Sequence, residues 1–285
     1  MLDNQAVKVA EESIAYPDES LRVLRFELDA RHGERHRHRQ LELTWIEAGD
    51  GLRLVGDSAM PFEAGDLVLL GSNVPHAWLN ARRIAATVVQ FAPELLTQSG
   101  LPELARAAPL AERASLGLRV TGACHDEVTA VLAHMPAAGA IARLAGLVAV
   151  IGRLVEHQAS LTSLASSPMR SIGAPTPEVP DRRRIDRVID WIHRHMAREL
   201  TVAEAARLAH VTPAAFSRYF HREVGKTFTE YINDARCSEA CIRLRRSDKP
   251  VAVIAQECGF ATMSHFNRQF RLRLGVAPRE YRQRH

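Results

Sequence analysis

Six residues in the C-terminal third recur fifty positions later without a gap. The pairs are Ala205/Ala255, Thr212/Thr262, Phe216/Phe266, Arg218/Arg268, Phe220/Phe270 and Gly225/Gly275. Such self-similarity predicts two copies of one structural unit. Each copy has the sequence signals of two short helices joined by a tight turn. This part of the chain is therefore expected to fold as two helix-turn-helix units.

Helix start and stop signals define the first copy. Thr201 and Glu204 match a capping box, in which the two side chains satisfy backbone amides reciprocally. Thr212 followed by Pro213 predicts the start of the second helix. Gly225 predicts the end of that helix, because glycine tolerates positive φ. The first unit is thus predicted from three independent signals.

The second copy repeats these signals. Gly259 supplies the turn, Thr262 predicts a helix cap and Gly275 predicts the helix end. Between the copies, residues 231–247 read as one long helix with a basic end. An earlier apolar face from Ile185 to Met196 predicts a first helix that opens the C-terminal domain.

Charge is distributed unevenly along the chain. The net charge is +4, but residues 181–285 carry +9 while residues 1–180 carry −5. A basic domain attached to a mildly acidic one is the electrostatic pattern of a nucleic-acid-binding module with a separate partner domain. Double-stranded DNA is therefore the expected partner of the C-terminal domain.

Residues 183–285 resemble the DNA-binding domain of the AraC/XylS family of bacterial transcription regulators. The resemblance rests on the segments Ile254–Phe260, Ser264–Phe270 and Gly275–Tyr281. It implies two helix-turn-helix subdomains joined by a long helix. It also implies that both recognition helices enter successive major-groove segments on one face of the DNA.

The resemblance also implies which side chains read DNA. The implied base contacts are Ala214, Ser217 and Arg218 on the first helix, and Met263, Ser264, His265, Asn267 and Arg268 on the second. Arginine can bind guanine through two hydrogen bonds, although Arg218 and Arg268 could instead contact phosphate or form surface ion pairs. Thr212, Lys226 and Thr227 are expected phosphate contacts. The two reading surfaces differ, which favours an asymmetric DNA site.

Residues from about 20 to 95 are expected to be β-rich, because alternating apolar segments are broken by turn residues. The pattern His36, His38, Glu42, Gly49, followed by Gly65-Asp66, Pro75-His76 and Asn80, resembles the cupin double-stranded β-helix, a jelly-roll barrel. Ala30 and Gly71 depart from the usual cupin motifs. The expected fold is therefore an all-β cupin barrel followed by helices, and then an all-α double helix-turn-helix domain.

In metal-dependent cupins, the positions of His36, His38, Glu42 and His76 hold the metal. These ligands would suit Zn, Fe, Ni or Mn. The alternative is that they line a small-molecule effector pocket without metal, together with Trp45 and Trp78 as walls. Either tryptophan could also be ordinary core. Both interpretations stay open at the level of sequence.

The expected domain boundaries follow from composition. Residues 1–98 form the cupin-like regulatory domain. Residues 99–165 form a helical segment, because residues 101–165 lack β signals. Its helix Ile141–His157 is a candidate homodimer contact or a simple packing element. Residues 166–181 are rich in Ser, Pro and Gly and read as a linker. Residues 182–285 form the DNA-binding domain.

Composition also argues against other classes of protein. No apolar run reaches the length of a bilayer crossing, and the start at Met1 lacks a signal peptide. A cytoplasmic protein without a membrane partner is expected, and its four cysteines are expected to be reduced core residues. Cys237 and Cys241 could alternatively bind metal or sense oxidants.

The expected function is a DNA-binding transcription regulator controlled by a small-molecule effector, and not an enzyme. It would contact RNA polymerase if it is an activator. A metal-dependent cupin enzyme or metal sensor tethered to DNA, and an architectural DNA-binding protein without effector, are the alternatives.

Overall fold

The computed structural model describes residues 20–31, 35–98, 100–166 and 180–284. An antiparallel sheet with flanking helices precedes an all-helical domain. This order confirms the expected layout of a β-rich N-terminal part and a helix-turn-helix C-terminal part. The predicted linker falls largely outside the described residues.

The sheet contains seven strands within the described residues. They are β1 (Leu21–Arg31), β2 (Leu41–Val55), β3 (Ser58–Phe62), β4 (Leu67–Leu70), β5 (His76–Phe91), β6 (Leu118–Val120) and β7 (Leu161–Ser163). Their order is β1-β5-β2-β4-β6-β7, with β3 paired to β2. The strand β2 is continuous from Leu41 to Val55. Register shifts between Ile46 and Leu52 bend that strand without breaking its ladder.

The expectation that residues 101–165 lack β structure is wrong at two places. Strand β6 pairs with β4, and β7 pairs with β6, so both extend the sheet. Each has three residues, which is too short to show a readable alternation. Long-range pairing with the sheet edge therefore fixed these strands, not their local sequence.

Five α-helices accompany the sheet in the part of the chain that the structure describes. They are α1 (Glu94–Thr97), α2 (Pro102–Ala105), α3 (Ala108–Arg113), α4 (Gly122–Leu132) and α5 (Ala140–Glu156). One sheet face, which includes Leu41, Leu43 and Phe91, shares an apolar core with Leu147 and Leu154 of α5. The sheet and the following helices thus fold around a common core.

Between residues 180 and 284, seven helices form the C-terminal domain. They are α6 (Pro180–His195), α7 (Val202–Leu208), α8 (Pro213–Val224), α9 (Phe228–Arg246), α10 (Val251–Glu257), α11 (Met263–Leu274) and α12 (Pro278–Arg284). The predicted long helix is α9, which begins three residues earlier than expected, after a second capping box formed by Thr227 and Glu230.

The β2–β3 hairpin contacts α9. Leu52 and Leu54 of the hairpin strand β2 lie in the same apolar cluster as Ile242 of α9. The Ser238 hydroxyl of α9 donates to the Ala59 carbonyl. The surrounding ion pairs join Arg245 to Glu63 and Arg246 to Asp50. The DNA-binding candidate therefore docks on the sheet domain through the helix that carries both of its units.

Asp57, in the turn of the same hairpin, is buried. Its carboxylate accepts hydrogen bonds from the backbone N–H and the hydroxyl of Ser166, at the beginning of the predicted linker. Lys226 Nζ lies 3.8 Å from the same carboxylate. One acidic side chain thus contacts the hairpin's own domain, the predicted linker and the C-terminal domain.

The four cysteines are buried and unpaired, as expected. Burial raises the pKa of the Cys237, Cys241 and Cys258 thiols to about 12, so these groups stay protonated. A protonated, buried thiol is a poor metal ligand and a poor redox sensor.

No helix in the described ranges combines the length and apolar character that a bilayer crossing requires.

Candidate functional site

The first helix-turn-helix unit comprises α7 and α8. Both side chains of the Thr201/Glu204 capping box make their hydrogen bonds, and Thr212 accepts from the Ala215 amide. Gly225 ends α8 at a φ of 81°. Phe216 and Phe220 are fully buried beneath α8, which leaves its opposite face to solvent.

The second unit comprises α10 and α11, and it repeats α8 more closely than α7. Thr262 caps α11 through the His265 amide, and Gly275 ends the helix at a φ of 73°. Helix α10, the first helix of this unit, has no equivalent side-chain cap, because Pro250 occupies the cap position. The fifty-residue offset is therefore correct for the recognition helices, α8 and α11.

For α7 and α10, the first helix of each unit, the fifty-residue offset is wrong by one residue. The turn amide of Val211 donates to Ala206, whereas that of Phe260 donates to Ala255, both at 3.0 Å. Ala255 is thus equivalent to Ala206, not to Ala205. Four residues separate α7 from α8, but five separate α10 from α11. The second turn carries an extra residue that an ungapped repeat conceals.

Arg218 and Arg268 occupy equivalent exposed positions on α8 and α11. Within the described residues, neither guanidinium makes a hydrogen bond or an ion pair. Other arginines of this domain, such as Arg243 and Arg273, are held by carboxylates. Two uncommitted guanidinium groups on the outer faces of the two recognition helices can therefore meet an acidic partner without losing an internal contact.

The remaining expected base contacts also lie on these outer faces. Ala214, Ser217, Met263, Ser264 and Asn267 are exposed. The expected base contact His265 is less accessible than these residues. Its ring is half-buried and packs edge-on against Phe260, with 5.6 Å between ring centroids. Burial, helped by the charge of Arg268, lowers the pKa of His265 and so favours the neutral ring.

The three expected phosphate contacts are already engaged to different degrees. Thr212 uses its oxygen as a cap but keeps its hydroxyl proton available. Thr227 accepts from the Glu230 amide and donates to the Glu230 carboxylate. Lys226 Nζ lies 2.7 Å from Asp234. Thr212 is therefore the most accessible of the three for a phosphate.

A polar groove of about 330 Å³ lies beside the first recognition helix. It is lined by Arg184 of α6, and by Arg218 and Arg222 of α8, together with Val211, Ala215 and Tyr219. Sequence reasoning did not single out Arg184. A signal was present, however, in the basic character of the first turns of α6.

The expected ligand residues of the N-terminal part form a histidine cluster. One ring nitrogen from each of His36, His38 and His76 lies within 4.8 Å of the other two. His36 lies before β2 and forms an isolated bridge with His76 at the start of β5. Glu42 lies beside the cluster, with its carboxylate 3.0 Å from His38 and 3.7 Å from His76.

Backbone contacts orient two of the rings. His38 Nδ1 lies 3.1 Å from the Gln40 carbonyl, and His76 Nδ1 lies 2.8 Å from the Val74 carbonyl. The His76 Nδ1–H donates to the Val74 carbonyl, so the Nε2 of this neutral ring carries the lone pair that faces the cluster. The His38 Nε2 lies 3.0 Å from the Glu42 carboxylate, which can only accept, so this nitrogen donates to it. Metal-ligating histidines are commonly oriented in this way.

The cluster also contains buried polar atoms without a hydrogen bond. His76 Nε2 and Gln90 Oε1 have no partner in the described structure, although both side chains are buried. Burial lowers the pKa of His76 to about 3, so this ring is neutral at physiological pH. An unpaired acceptor nitrogen beside a carboxylate is chemically suited to a divalent cation or a ligand that donates a hydrogen bond.

Glu42 stays ionised in this setting. Burial would raise its pKa, but the imidazoles of His76 and His38 and the Thr44 hydroxyl lower it below its usual range. Thr44 donates to one carboxylate oxygen at 2.6 Å, and the Gln90 amide donates to the other at 2.9 Å. Gln90 and Thr44 are functional candidates that sequence reasoning missed, since neither lies in the cupin pattern.

The two expected tryptophan walls lie on opposite faces of the sheet. Trp78 is next to His76, with 5.5 Å between ring centroids, so it borders the cluster. Trp45 packs instead with the apolar core shared with α1–α5. Side chains alternate between faces along β2, and Trp45 is an odd number of residues from Glu42. The expected wall at Trp45 is therefore wrong.

Three comparisons with known proteins bear on the C-terminal domain. Residues 205–284 match a family model described as a helix-turn-helix domain. The uncharacterized HTH-type transcriptional regulator YobQ of Bacillus subtilis is 35% identical over 94 residues, which are 33% of this chain and 39% of that protein. The HTH-type transcriptional activator RhaS of Klebsiella pneumoniae is 32% identical over 100 residues, which are 35% of this chain and 36% of that protein.

A more distant relative aligns along most of the chain. The HTH-type transcriptional activator RhaR of Yersinia pestis is 21% identical over 270 residues, covering 87% of this chain and 84% of that protein. By contrast, the chain spans less than half the length of YobQ and RhaS in their alignments. Together with the two capped units and their exposed arginines, these matches make residues 205–284 a helix-turn-helix DNA-binding domain similar to those of AraC/XylS-type transcription regulators.

Proposed function

We propose that the whole chain is a cytoplasmic, sequence-specific transcription regulator of the AraC/XylS type. The observation that carries this proposal is the pair of exposed, unengaged guanidinium groups at Arg218 and Arg268, at equivalent positions of two recognition helices. The +9 charge of residues 181–285 supplies the sequence-independent attraction to DNA phosphates. The groove lined by Arg184, Arg218 and Arg222 extends this surface onto α6.

One monomer is proposed to read an asymmetric site through two unlike major-groove segments. Protection of a duplex library by the full-length protein, followed by sequencing of the bound fraction, should give two adjacent motifs of different sequence. The logarithm of the affinity should fall linearly with the logarithm of salt concentration. Two identical motifs would contradict the asymmetric site, and a flat salt dependence would contradict DNA binding by this surface.

The N-terminal part is proposed to be a cupin-type sensor domain, with the histidine cluster as its ligand site. The unpaired His76 Nε2 and Gln90 Oε1 support a ligand that contacts buried polar atoms. His36, His38 and His76, with Glu42 alongside, would hold Zn, Ni, Fe or Mn, and a bound cation would supply a Lewis-acidic contact for an effector. A small organic effector bordered by Trp78 is the alternative occupant.

Metal titration of untagged, chelator-treated full-length protein tests the cation. Calorimetry with ZnCl₂ and NiCl₂ should show one site per chain, and His76→Ala should abolish it. His125→Ala is the matched control, because His125 lies on α4 and donates to the Gly65 carbonyl away from the cluster. Equal binding by wild type and His76→Ala would contradict the metal site. A metabolite thermal-shift screen tests the organic effector on the same protein.

A metal-dependent enzyme tethered to DNA is the second candidate, and the histidine cluster is the observation that favours it. The similarity to transcription activators along 87% of the chain favours the regulator instead. Turnover of a substrate by the metal-loaded protein would reverse this preference.

Regulation is proposed to pass through the contact between the β2–β3 hairpin and α9. Val55 of the hairpin pairs with His76, so a ligand that shifts His76 acts on the strand that carries the docking residues. Such a ligand must bind the two docking states with different affinity. An activator would in addition contact RNA polymerase through a surface outside the two recognition helices.

Helix α5 is proposed to mediate homodimerisation. Its outer face is apolar, with Ile141 80% exposed and Val148 41% exposed. Sedimentation of the wild type should show a dimer that Ile141→Asp dissociates. A monomeric wild type would contradict the proposed dimer.

A further inference from the structure

The two helix-turn-helix units have separate apolar cores. Phe216 and Phe220 belong to a cluster that includes Tyr231 and Ile232 from the first part of α9. Phe266 and Phe270 belong to another cluster, which includes Cys241 and Leu244 from the last part of α9. Apolar packing thus holds each unit to α9, and polar contacts join one unit to the other.

Arg236 makes one of these polar contacts. Its guanidinium extends from α9 and donates to the Met196 carbonyl at 2.9 Å and to the Arg198 carbonyl at 2.8 Å. These carbonyls follow α6 in the first unit's half of the domain. The same guanidinium lies 5.9 Å above the ring of Phe260, in the turn of the second unit. One side chain therefore touches both halves.

The turn of the second unit fits closely against this contact. Gly259 has a φ of 89°, and a Cβ there would lie 2.2 Å from the Met196 carbonyl oxygen and 2.8 Å from Arg236 Nε. The backbone of the second turn therefore approaches the first half of the domain directly. A side chain at this position would push the two halves apart.

Asp234 makes a second polar contact, on a different side of α9. Its carboxylate receives Lys226 Nζ, which follows α8, at 2.7 Å, and it also pairs with Arg273 of α11. Residues 234 and 236 are separated by about 200° around a helix with 3.6 residues per turn. The two contacts therefore join the units from nearly opposite sides of α9.

We propose that Arg236 and Asp234 are positioning residues that set the spacing between the two DNA segments that the chain reads. This inference rests on the proposed binding of one monomer to two major-groove segments. Neither residue needs to touch DNA. Together they hold α8 and α11 in one mutual orientation, so that only one separation of the segments along the duplex matches both helices.

Inserted base pairs make this spacing measurable. One additional base pair moves the second segment by about 3.4 Å and rotates it by about 34° around the duplex axis. A rigid pair of units cannot follow this displacement without losing contacts on one side. A pair released at one junction can follow it in part.

The test compares the parent DNA site with the same site carrying one inserted base pair between its two segments. Full-length wild type should bind the inserted site at least tenfold more weakly. Arg236→Ala should bind the parent site a few-fold more weakly, and its penalty for insertion should fall below about threefold. Arg243→Ala is the matched control, since Arg243 also extends from α9 but bonds Glu239 and Glu257 within the second half. Its insertion penalty should equal that of the wild type.

An insertion penalty that is unchanged in Arg236→Ala would overturn the inference, provided that thermal denaturation shows a folded domain. If Arg236→Ala does not fold, Asp234→Asn provides the same comparison through the other junction, and an unchanged penalty there would overturn it. Failure of the wild type to bind any duplex would instead contradict the proposed function. The two failures are therefore distinguishable.

Discussion

The two helix-turn-helix units share a scaffold and differ in their turns. Both recognition helices have twelve residues, a threonine cap and a left-handed glycine at the end. The first turn has four residues and the second has five. The comparison shows that the recognition helix is the repeated element, whereas the helix that supports it is offset by one residue.

The two turns also place different residues at the same left-handed backbone position. Each contains a left-handed residue, which is His210 at a φ of 55° in the first unit and Gly259 at 89° in the second. The second turn needs glycine because the Met196 carbonyl is too close for a side chain. The first turn tolerates histidine at some backbone strain, since His210 is exposed. The junction between the units therefore explains the asymmetry.

The largest difference should appear when the two turns are mutated. Gly259→Ala should lower the free energy of unfolding by about 3 kcal/mol, because it combines positive φ with a steric clash. His210→Gly should change it by less than about 1 kcal/mol. Urea denaturation of the full chain, followed by circular dichroism, measures both. Equal effects would break the distinction between the turns.

The recognition arginines should be the next most sensitive. Arg268→Ala and Arg218→Ala should each cost about 1–3 kcal/mol at the specific site and relax one base position. Arg268 should have the larger effect, since Ser264 and Asn267 beside it provide a more polar reading surface than Ala214 and Ser217. Affinity for specific and random duplexes distinguishes base reading, because an equal loss on both would show phosphate contacts.

The threonine caps should respond alike. Thr212→Ala and Thr262→Ala should each reduce stability by about 1 kcal/mol, since their capping hydrogen bonds are 3.3 and 3.2 Å long. Serine variants, which keep the hydroxyl, are the controls. A clearly larger loss at one cap would show that the units do not share the same helix-start energetics.

The smallest effect on DNA affinity is expected for Arg184, in the groove beside the first recognition helix. Arg184→Ala should reduce the slope of log affinity against log salt by about one, on specific and random duplexes equally. Arg207→Ala, on the supporting helix α7, is the comparison. Sequence-dependent loss in Arg184→Ala would show that this groove contributes to base reading.

Much of the C-terminal fold was predictable from local signals. Thr201, Thr212 and Gly225 specify helix ends through hydrogen bonds within four residues, so the sequence contains the information directly. The one-residue offset at Ala206 and Ala255 was not predictable, because an extra turn residue leaves the following pattern intact. The engagement of Lys226 by Asp234 also depends on tertiary packing.

Less of the N-terminal site was predictable. The sequence pattern singled out His36, His38 and His76, and the structure brings these three histidines together. Gln90 joins them only because β5 pairs with β2 across 48 residues. The prediction for Trp45 was wrong because it assigned the side chain to a pocket without considering which face of the strand Trp45 occupies. The cupin assignment and the choice between metal and effector remain predictions.

The contact of Asp57 with Ser166 and Lys226 has a consequence for the strength of docking. Fourteen positions separate Ser166 from Pro180, and so short a chain spans at most about 50 Å in any conformation. A domain confined within that radius is present at an effective concentration of about 3 mM or more. The contact between the hairpin and α9 would therefore be closed in about three quarters of the molecules even if its intrinsic dissociation constant were as weak as about 1 mM. At that intrinsic affinity, a ligand that weakens the contact about tenfold would open most of the molecules, and the two parts expressed separately would not associate at micromolar concentration.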